Sequence, residues 1–338
     1  MNEITAVLIA KNEQKVIERC LRSVKGMPVV VLDTGSTDQT VAMSERAGAK
    51  VVSVPPSSPF HFAEARNLAL THVETPWAFS IDADEVLRGG GLGKLYAAAR
   101  DPKGASAFTV SFINQDPTNP KRTFLIHKLK LFRKDTWAWR YRVHEQLFNT
   151  VDNAQMAALD DVSVEHLPSP NKKARHSQNV DLLKICIKEN PEYTRAFRHL
   201  GQELMLNAAW EDAIPYLYHY AEKTDEGAAQ RSHAMTLIGM CLINKGGHYE
   251  DALQWLDRAA AADTTRREPL FWAGRYVATL AKSQPEVERA MSYYEKALAI
   301  KNDGTSLGTT DFPEAWDDGL IKRQVAACKR GLVQLQGR

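Results

Sequence analysis

The sequence predicts an α/β domain built on a mostly parallel, Rossmann-like sheet over residues 1–167, followed by an all-α domain of helical repeats over residues 168–338. Three observations carry this. Apolar strand-like runs alternate with helix-like runs three times before residue 82. A fourth apolar run, Trp77 to Ile81, ends in Asp82-Ala83-Asp84-Glu85. Farther on, three segments echo one another with their alanines 39 and 38 residues apart.

At 338 residues the chain can bury two cores, and its 44% hydrophobic and 25% charged content is that of an ordinary globular protein. A formal net charge of +2 selects no class of partner. Basic residues do cluster locally: Lys121, Arg122, Lys128, Lys130, Arg133, Lys134, Arg140 and Arg142 stand against Asp135 alone, a grouping suited to an anionic ligand. Cys20, Cys186, Cys241 and Cys328 are widely separated and suggest neither a zinc site nor disulfides. No run approaches the ~20 apolar residues of a membrane helix, and the first strand-like run meets Lys11, Asn12 and Glu13 too early for a signal peptide. The expected location is the cytoplasm.

Ile4 to Ala10 reads as a buried first strand, and Val16, Ile17, Cys20, Leu21 and Val24 carry helical spacing. Val29 to Leu32 is a second strand, closed by Asp33-Thr34-Gly35-Ser36-Thr37-Asp38 and a helix from Val41 to Ala47. Gly35 permits a tight turn and Ser36, Thr37 or Asp38 can cap that helix, so the loop can receive an anion. Asp33 is placed to accept hydrogen bonds from a base or a ribose. Lys50 to Val54 forms a third strand and Phe62 to Leu70 a helix, whose Arg66 could reach a phosphate or make a surface ion pair. Successive strand–helix units give parallel pairing with right-handed crossovers. The acids after Ile81 then fall at the carboxyl edge of the sheet, where such folds bind ligands, and their hard oxygens suit Mg²⁺ or Mn²⁺ shared with a diphosphate.

After a helix over Leu92 to Ala99 the pattern turns to strands: Ala107 to Ile113, Phe124 to Phe132, Arg142 to Phe148 and Asp161 to His166, ending at Pro168-Ser169-Pro170. Trp137, Trp139 and Tyr141 read as core packing or site lining. At a strand end His144 and Glu145 can both reach one cleft, the histidine as a metal ligand and the carboxylate as a base.

Taken in order, Ala10-Lys11-Asn12-Glu13, Asp33-x-Gly35-Ser36-x-Asp38-x-Thr40, Ala65-Arg66-Asn67, Asp82-Ala83-Asp84-Glu85, Leu131-Phe132-Arg133 and Val143-His144-Glu145 resemble the motifs of family 2 glycosyltransferases of the GT-A fold. The resemblance implies a nucleotide-sugar site: Ala10 to Glu13 along the nucleotide, Asp33 with Gly35 at the base, Asp82 and Ala83 beside the ribose, and Arg66 or Arg133 at the phosphates. It also implies Mn²⁺ or Mg²⁺ on Asp84 and His144, with His166 left open as a further ligand. Many members carry the base in a Glu-Asp pair that this half lacks. Glu145 takes that role here, with Asp161 and Glu165 as alternatives.

In the second half a helix from Lys172 to Glu189 precedes Trp210 to Ile214, Tyr249 to Leu253 and Val287 to Met291. Each of these follows a helix bearing a glycine, Gly201, Gly239 or Gly274. Small residues that let helices approach closely resemble tetratricopeptide repeats, loosened from the ideal period of ~34. Pro191, Pro269 and Pro285 suit helix starts and turns, and a looser stretch over Gly304 to Gly308 precedes a last helix near Ala315 to Leu335. The surface so formed suits an acceptor, a scaffold role or a homo-oligomer contact.

The expected activity is metal-dependent, inverting transfer of a sugar from a nucleoside-diphosphate donor, with UDP the leading base. The acceptor is a protein or peptide, a glycan, or modified DNA, the last suggested by the basic run continued in Lys172, Lys173 and Arg175. A nucleotidyltransferase and a non-catalytic scaffold with a relic nucleotide domain are the alternatives.

Overall fold

The computed structural model describes residues 3–55, 58–115, 123–167, 176–301 and 313–336. Lys121, Arg122, Pro168–Pro170, Lys172, Lys173, Arg175 and the Gly304–Gly308 stretch lie outside these residues. The chain divides into two compact units, Met1–Arg175 and His176–Arg338.

The first unit runs β1 (Ile4–Ala10), α1 (Ile17–Ser23), β2 (Val29–Asp33), α2 (Thr40–Arg46), β3 (Lys50–Ser53), α3 (Phe62–Thr71), β4 (Trp77–Ser80), β5 (Glu85–Leu87) and α4 (Gly91–Arg100). It continues with β6 (Ala105–Gln115), β7 (Thr123–Arg133), β8 (Trp137–Arg140), β9 (Gln146–Asn149) and β10 (Gln155–His166). Eight strands form one sheet in the order β3-β2-β1-β4-β7-β6-β10-β5, and β8 pairs with β9 apart from it. The β1–β2, β2–β3, β1–β4 and β6–β10 pairs are parallel, whereas β4–β7, β6–β7 and β5–β10 are antiparallel. This mixed but mostly parallel sheet is the GT-A arrangement that the motif order implies.

Strand alternation builds a core on each face. Ile4, Ala6, Leu8 and Ala10 pack with Ile17, Cys20 and Leu21 of α1 and Leu95, Ala98 and Ala99 of α4. Val7 points the other way, to Ala65, Ala69 and Leu70 of α3. Parallel pairing of β1 with β2 and β4 puts the loops after all three at one edge of the sheet, outside the carboxyl ends of the strands, which is where ligand-binding side chains collect.

One expected strand is broken. Over Arg142 to Phe148 the chain instead turns before β9, with Tyr141 at φ +74° and His144 at φ +51°, left-handed values that no strand holds.

The second unit is a series of antiparallel helices: α5 (His176–Glu189), α6 (Thr194–Leu206), α7 (Trp210–Lys223), α8 (Ala228–Lys245), α9 (Tyr249–Ala262), α10 (Glu268–Leu280) and α11 (Gln284–Ala299). A short 3-10 turn (Pro313–Trp316) leads into α12 (Asp318–Gln336). The repeat is explicit in its packing. A Cβ on Gly201 would fall 2.5 Å from Leu217 Cγ, one on Gly239 2.8 Å from Leu256 Cγ, and one on Gly274 3.1 Å from Tyr294 Cδ1. Each large partner lies four residues after a fully buried alanine, Ala213, Ala252 or Ala290. Glycine, alanine and the bulky residue thus form one interlocking unit, used three times in tetratricopeptide-like fashion. Pro269 and Pro285 fall in first helical turns and Pro191 between α5 and α6. Among the described residues no helix is long and apolar enough to cross a membrane.

Candidate active site

The loop after β2 is folded onto the loop after β1. Asp33, buried at the strand end, accepts from Gly35 N at 3.2 Å and from Ser36 N at 3.1 Å, a tight return for which Gly35 takes φ +95°. Asn12, at φ +56°, receives Thr37 N on its Oδ1 at 2.8 Å and donates its own N–H to Ser36 Oγ at 2.9 Å. Glu13 N reaches Thr40 Oγ1 at 2.8 Å. Ala10 to Glu13 and Asp33 to Thr40 are therefore one cross-braced rim, with Lys11 and Asn12 exposed on it.

Beside it the acid turn is held from several strands. Glu85 Oε2 accepts from Asp82 N at 2.9 Å and from Lys130 Nζ of β7 at 2.6 Å, in an ion pair only 7% and 2% exposed. Asp84 O accepts from Leu167 N at 2.8 Å, stitching the turn to the end of β10, and Ala83 is buried within it.

Arg66 of α3 bridges two carboxylates. Its Nη2 lies 2.8 Å from Asp82 Oδ1, its Nε lies 2.6 Å from Glu145 Oε1, and its guanidinium stacks 4.8 Å over the Trp139 ring. Asn67 next to it pairs with the Trp139 main chain as a strand would, accepting from N and donating to O at 2.9 Å each. The turn carrying Glu145 is fixed from the other side, where Phe62 N donates to Arg142 O at 2.8 Å. Burial opposes ionisation of both Arg66 and Asp82, and their attraction overrides it. Arg66 is raised by Asp82 and Glu145, and Asp82 is held below the usual carboxylate range by Arg66 and Lys130.

An imidazole set against Asp84 is that of His166, with Nε2 3.2 Å from Asp84 Oδ2 and Nδ1 3.1 Å from Asn114 Oδ1. With Nδ1–H donated to Asn114 Oδ1, the Nε2 that faces Asp84 could hold an ion in place of its proton, the usual way a ligand histidine is oriented. Carboxylate and imidazole fit Mn²⁺ or Mg²⁺, which take one or two protein ligands and complete their shell with phosphate oxygens and water. Among the described residues no group of three or more His, Cys, Asp or Glu stands in ligating arrangement.

The structure thus brings Asp82, Asp84, Arg66, Glu145 and His166 together, with His144 in the turn that carries Glu145. Two expected residues fall elsewhere. Arg133 pairs with Trp77 across the antiparallel β4–β7 ladder, at the opposite end of β4 from the acids, and its guanidinium binds Asp135 at 2.9 Å. Asp161 is exposed and lies 3.0 Å from Lys94 of α4. It stands five residues before His166, roughly 16 Å along the strand. Glu165, the other alternative base, is bound to Arg88 at 2.7 Å. His166 stayed an open further ligand in the sequence because its contact with Asp84 depends on the antiparallel β5–β10 pairing. The only local signal was its position closing a strand.

The model of glycosyl transferase family 2 matches residues 5–187, more than half of the chain. The chain belongs to glycosyl transferase family 2. Within the family it is similar to the SPbeta prophage-derived glycosyltransferase SunS of Bacillus subtilis, 27% identical over 268 residues, which cover 75% of this chain and 62% of SunS. The family 2 chain is also 36% identical over 112 residues, 32% of its length, to a TPR repeat-containing protein of Synechococcus elongatus, of which that stretch covers 27%. Among solved structures, S. aureus TarS 1-349 in complex with UDP-GlcNAc aligns over 98% of this chain and 92% of its own, at 15% identity and a TM-score of 0.40.

Proposed function

We propose that this family 2 protein transfers a sugar from a nucleoside-diphosphate donor to an acceptor nucleophile with inversion at the anomeric carbon. The observation that carries the reading is the meeting of Asp82–Arg66–Glu145 and Asp84–His166 at the carboxyl edge of one sheet. Asp33 and the braced rim from Ala10 to Glu13 are assigned to the nucleoside, and Asp82 to the donor side of the clamp. Glu145 takes the proton from the acceptor as the nucleophile bonds to the anomeric carbon. The bond from that carbon to the diphosphate oxygen breaks, and its electron pair leaves with the nucleoside diphosphate. Attack opposite the departing group inverts the centre. Arg66 fixes the Glu145 carboxylate for this, because its Nε and Nη2 hold Glu145 and Asp82 at a set separation. A divalent ion bound by Asp84 and His166 would neutralise charge on the diphosphate.

UDP is the nucleotide proposed first. The helical unit is assigned to the acceptor, with a protein or peptide favoured by its repeat architecture. Incubation with UDP-, GDP-, CDP- and dTDP-sugars plus Mn²⁺, followed by chromatography of the nucleotides, tests the reaction class. Release of a nucleoside diphosphate is expected, with Glu145→Gln lowering turnover by roughly 10² to 10⁴. Release of pyrophosphate instead, or full turnover in Glu145→Gln, would contradict the reading.

A further inference from the structure

Lys128 and Lys130 lie two residues apart on β7 and so project to the same face of the sheet. Their situations differ. Lys130 is committed to Glu85 at 2.6 Å, and Arg66 to Asp82 and Glu145. The Lys128 ammonium, half-buried, rests 3.6 Å above the centre of the Phe112 ring, and among the described residues no carboxylate stands within ion-pairing distance of it. Lys130 Nζ lies 5.4 Å from that same ring. Phe112 in turn stacks on His166, centroids 6.0 Å apart at 26°, and His166 faces Asp84. An ammonium is therefore held on an aromatic platform shared with the proposed metal histidine, beside the acid turn, with no ion-pair partner among the described residues.

Partial burial of such a charge is unfavourable unless something anionic meets it. The cost is visible in its proton affinity. Burial, reinforced by Lys130 and only partly offset by Glu85 and Asp82, lowers the Lys128 pKa to about 8. Arg66 and Lys130, the cations that meet the acid turn, are spent on its carboxylates and on Glu145, whereas Lys128 beside them is available to a substrate.

We propose that Lys128 binds a non-bridging phosphoryl oxygen of the nucleoside-diphosphate donor, from its seat on Phe112. This rests on the donor class proposed above. An ammonium there stabilises the diphosphate as it departs, because the charge it meets grows as the glycosidic bond breaks. The same chemistry could come from a phosphate on the acceptor, and the experiment separates the two.

Isothermal titration with UDP, GDP, CDP and dTDP in the presence of Mn²⁺, and with the corresponding nucleosides, is carried out on the full chain and on Lys128→Met and Lys128→Arg. Methionine keeps the apolar stem on Phe112, and unchanged thermal melting confirms the fold. Loss of a charge-assisted contact should weaken the bound nucleoside diphosphate about tenfold or more in Lys128→Met. Nucleoside affinity should stay unchanged and Lys128→Arg should recover most of the loss. Equal diphosphate affinity in Lys128→Met overturns the inference. Equal diphosphate affinity with a raised KM for a phosphorylated acceptor alone also overturns it and moves the contact to the acceptor. Failure of the unmodified protein to bind any of the four diphosphates removes the donor reading itself.

Discussion

Replacing Arg66 with Met tests the clamp at the heart of the site. The substitution keeps a linear apolar side chain against Trp139 and removes the charge between Asp82 and Glu145. Glu145 is 12% exposed and paired at 2.6 Å, so its stranded carboxylate should cost about 2 kcal/mol. Asp82 is 38% exposed, and solvent screening reduces its share to about 1 kcal/mol. Loss of the guanidinium–Trp139 stacking adds about 0.5 kcal/mol. The total of about 3 to 4 kcal/mol corresponds to a fall in Tm of roughly 6 to 16 °C for a unit of this size. Calorimetry of the full chain should show it in one of two transitions, since the units need not unfold together. The pH dependence gives a second readout. Asp82 is depressed in the folded state, so its contribution is present above its ordinary pKa of about 3.9 and is lost as pH falls toward its lowered value. Arg66→Met should flatten that acid limb. An unchanged Tm with an unchanged acid limb would refute the clamp.

Other predictions bear on separate parts of the account. Gly239→Ala should destabilise the helical unit by about 1 to 3 kcal/mol, because the new Cβ would lie 2.8 Å from Leu256 Cγ; adding Leu256→Val should recover part of the loss in denaturant titrations, and strict additivity would argue against the interlock. Nucleoside-diphosphate affinity should fall as pH rises through about 8, because protonated Lys128 attracts the diphosphate and its neutral form does not. A bound anion moves that midpoint upward. Lys130, Glu85, Asp82 and Arg66 face Lys128 and set its baseline, so Lys128→Arg should abolish the dependence while they remain, and an identical pH profile in that variant would exclude Lys128 as its source. All four cysteines are buried and none is in a disulfide, with Cys20 and Cys328 raised by burial and Cys241 pushed up to about 12. Thiol reagents should therefore label the native chain far more slowly than the denatured one.

Local periodicity made most of the first unit legible. The runs at Ile4, Val29 and Trp77 are long, apolar and punctuated, and their parallel order puts Asp33 and Asp82 on one edge without any long-range information. The repeat of the second half was equally readable, since its glycine and alanine positions recur in the chain itself. What escaped depends on pairings distant in sequence. His166 meets Asp84 only because three-residue β5, too short to show a pattern, pairs antiparallel with the end of β10. The reversal of β7 against β4 carries Arg133 to the far end and brings Lys130 and Lys128 to the acid turn, although the sequence grouped all three as one basic run. Left-handed backbone at Tyr141 and His144 is likewise invisible in residue type, and it is what turns Glu145 toward Arg66.

Asp84 and His166 are proposed to form the ion-dependent half of a nucleoside-diphosphate site. Isothermal titration of UDP with Mn²⁺ and again with EDTA, on the unmodified chain and on Asp84→Asn, His166→Ala and His144→Ala, tests it directly. Ion-dependent binding is expected, lost in Asp84→Asn, weakened about 10- to 100-fold in His166→Ala by loss of one ligand, and largely kept in His144→Ala. Equal affinity in EDTA, or loss in His144→Ala with His166→Ala intact, would contradict it.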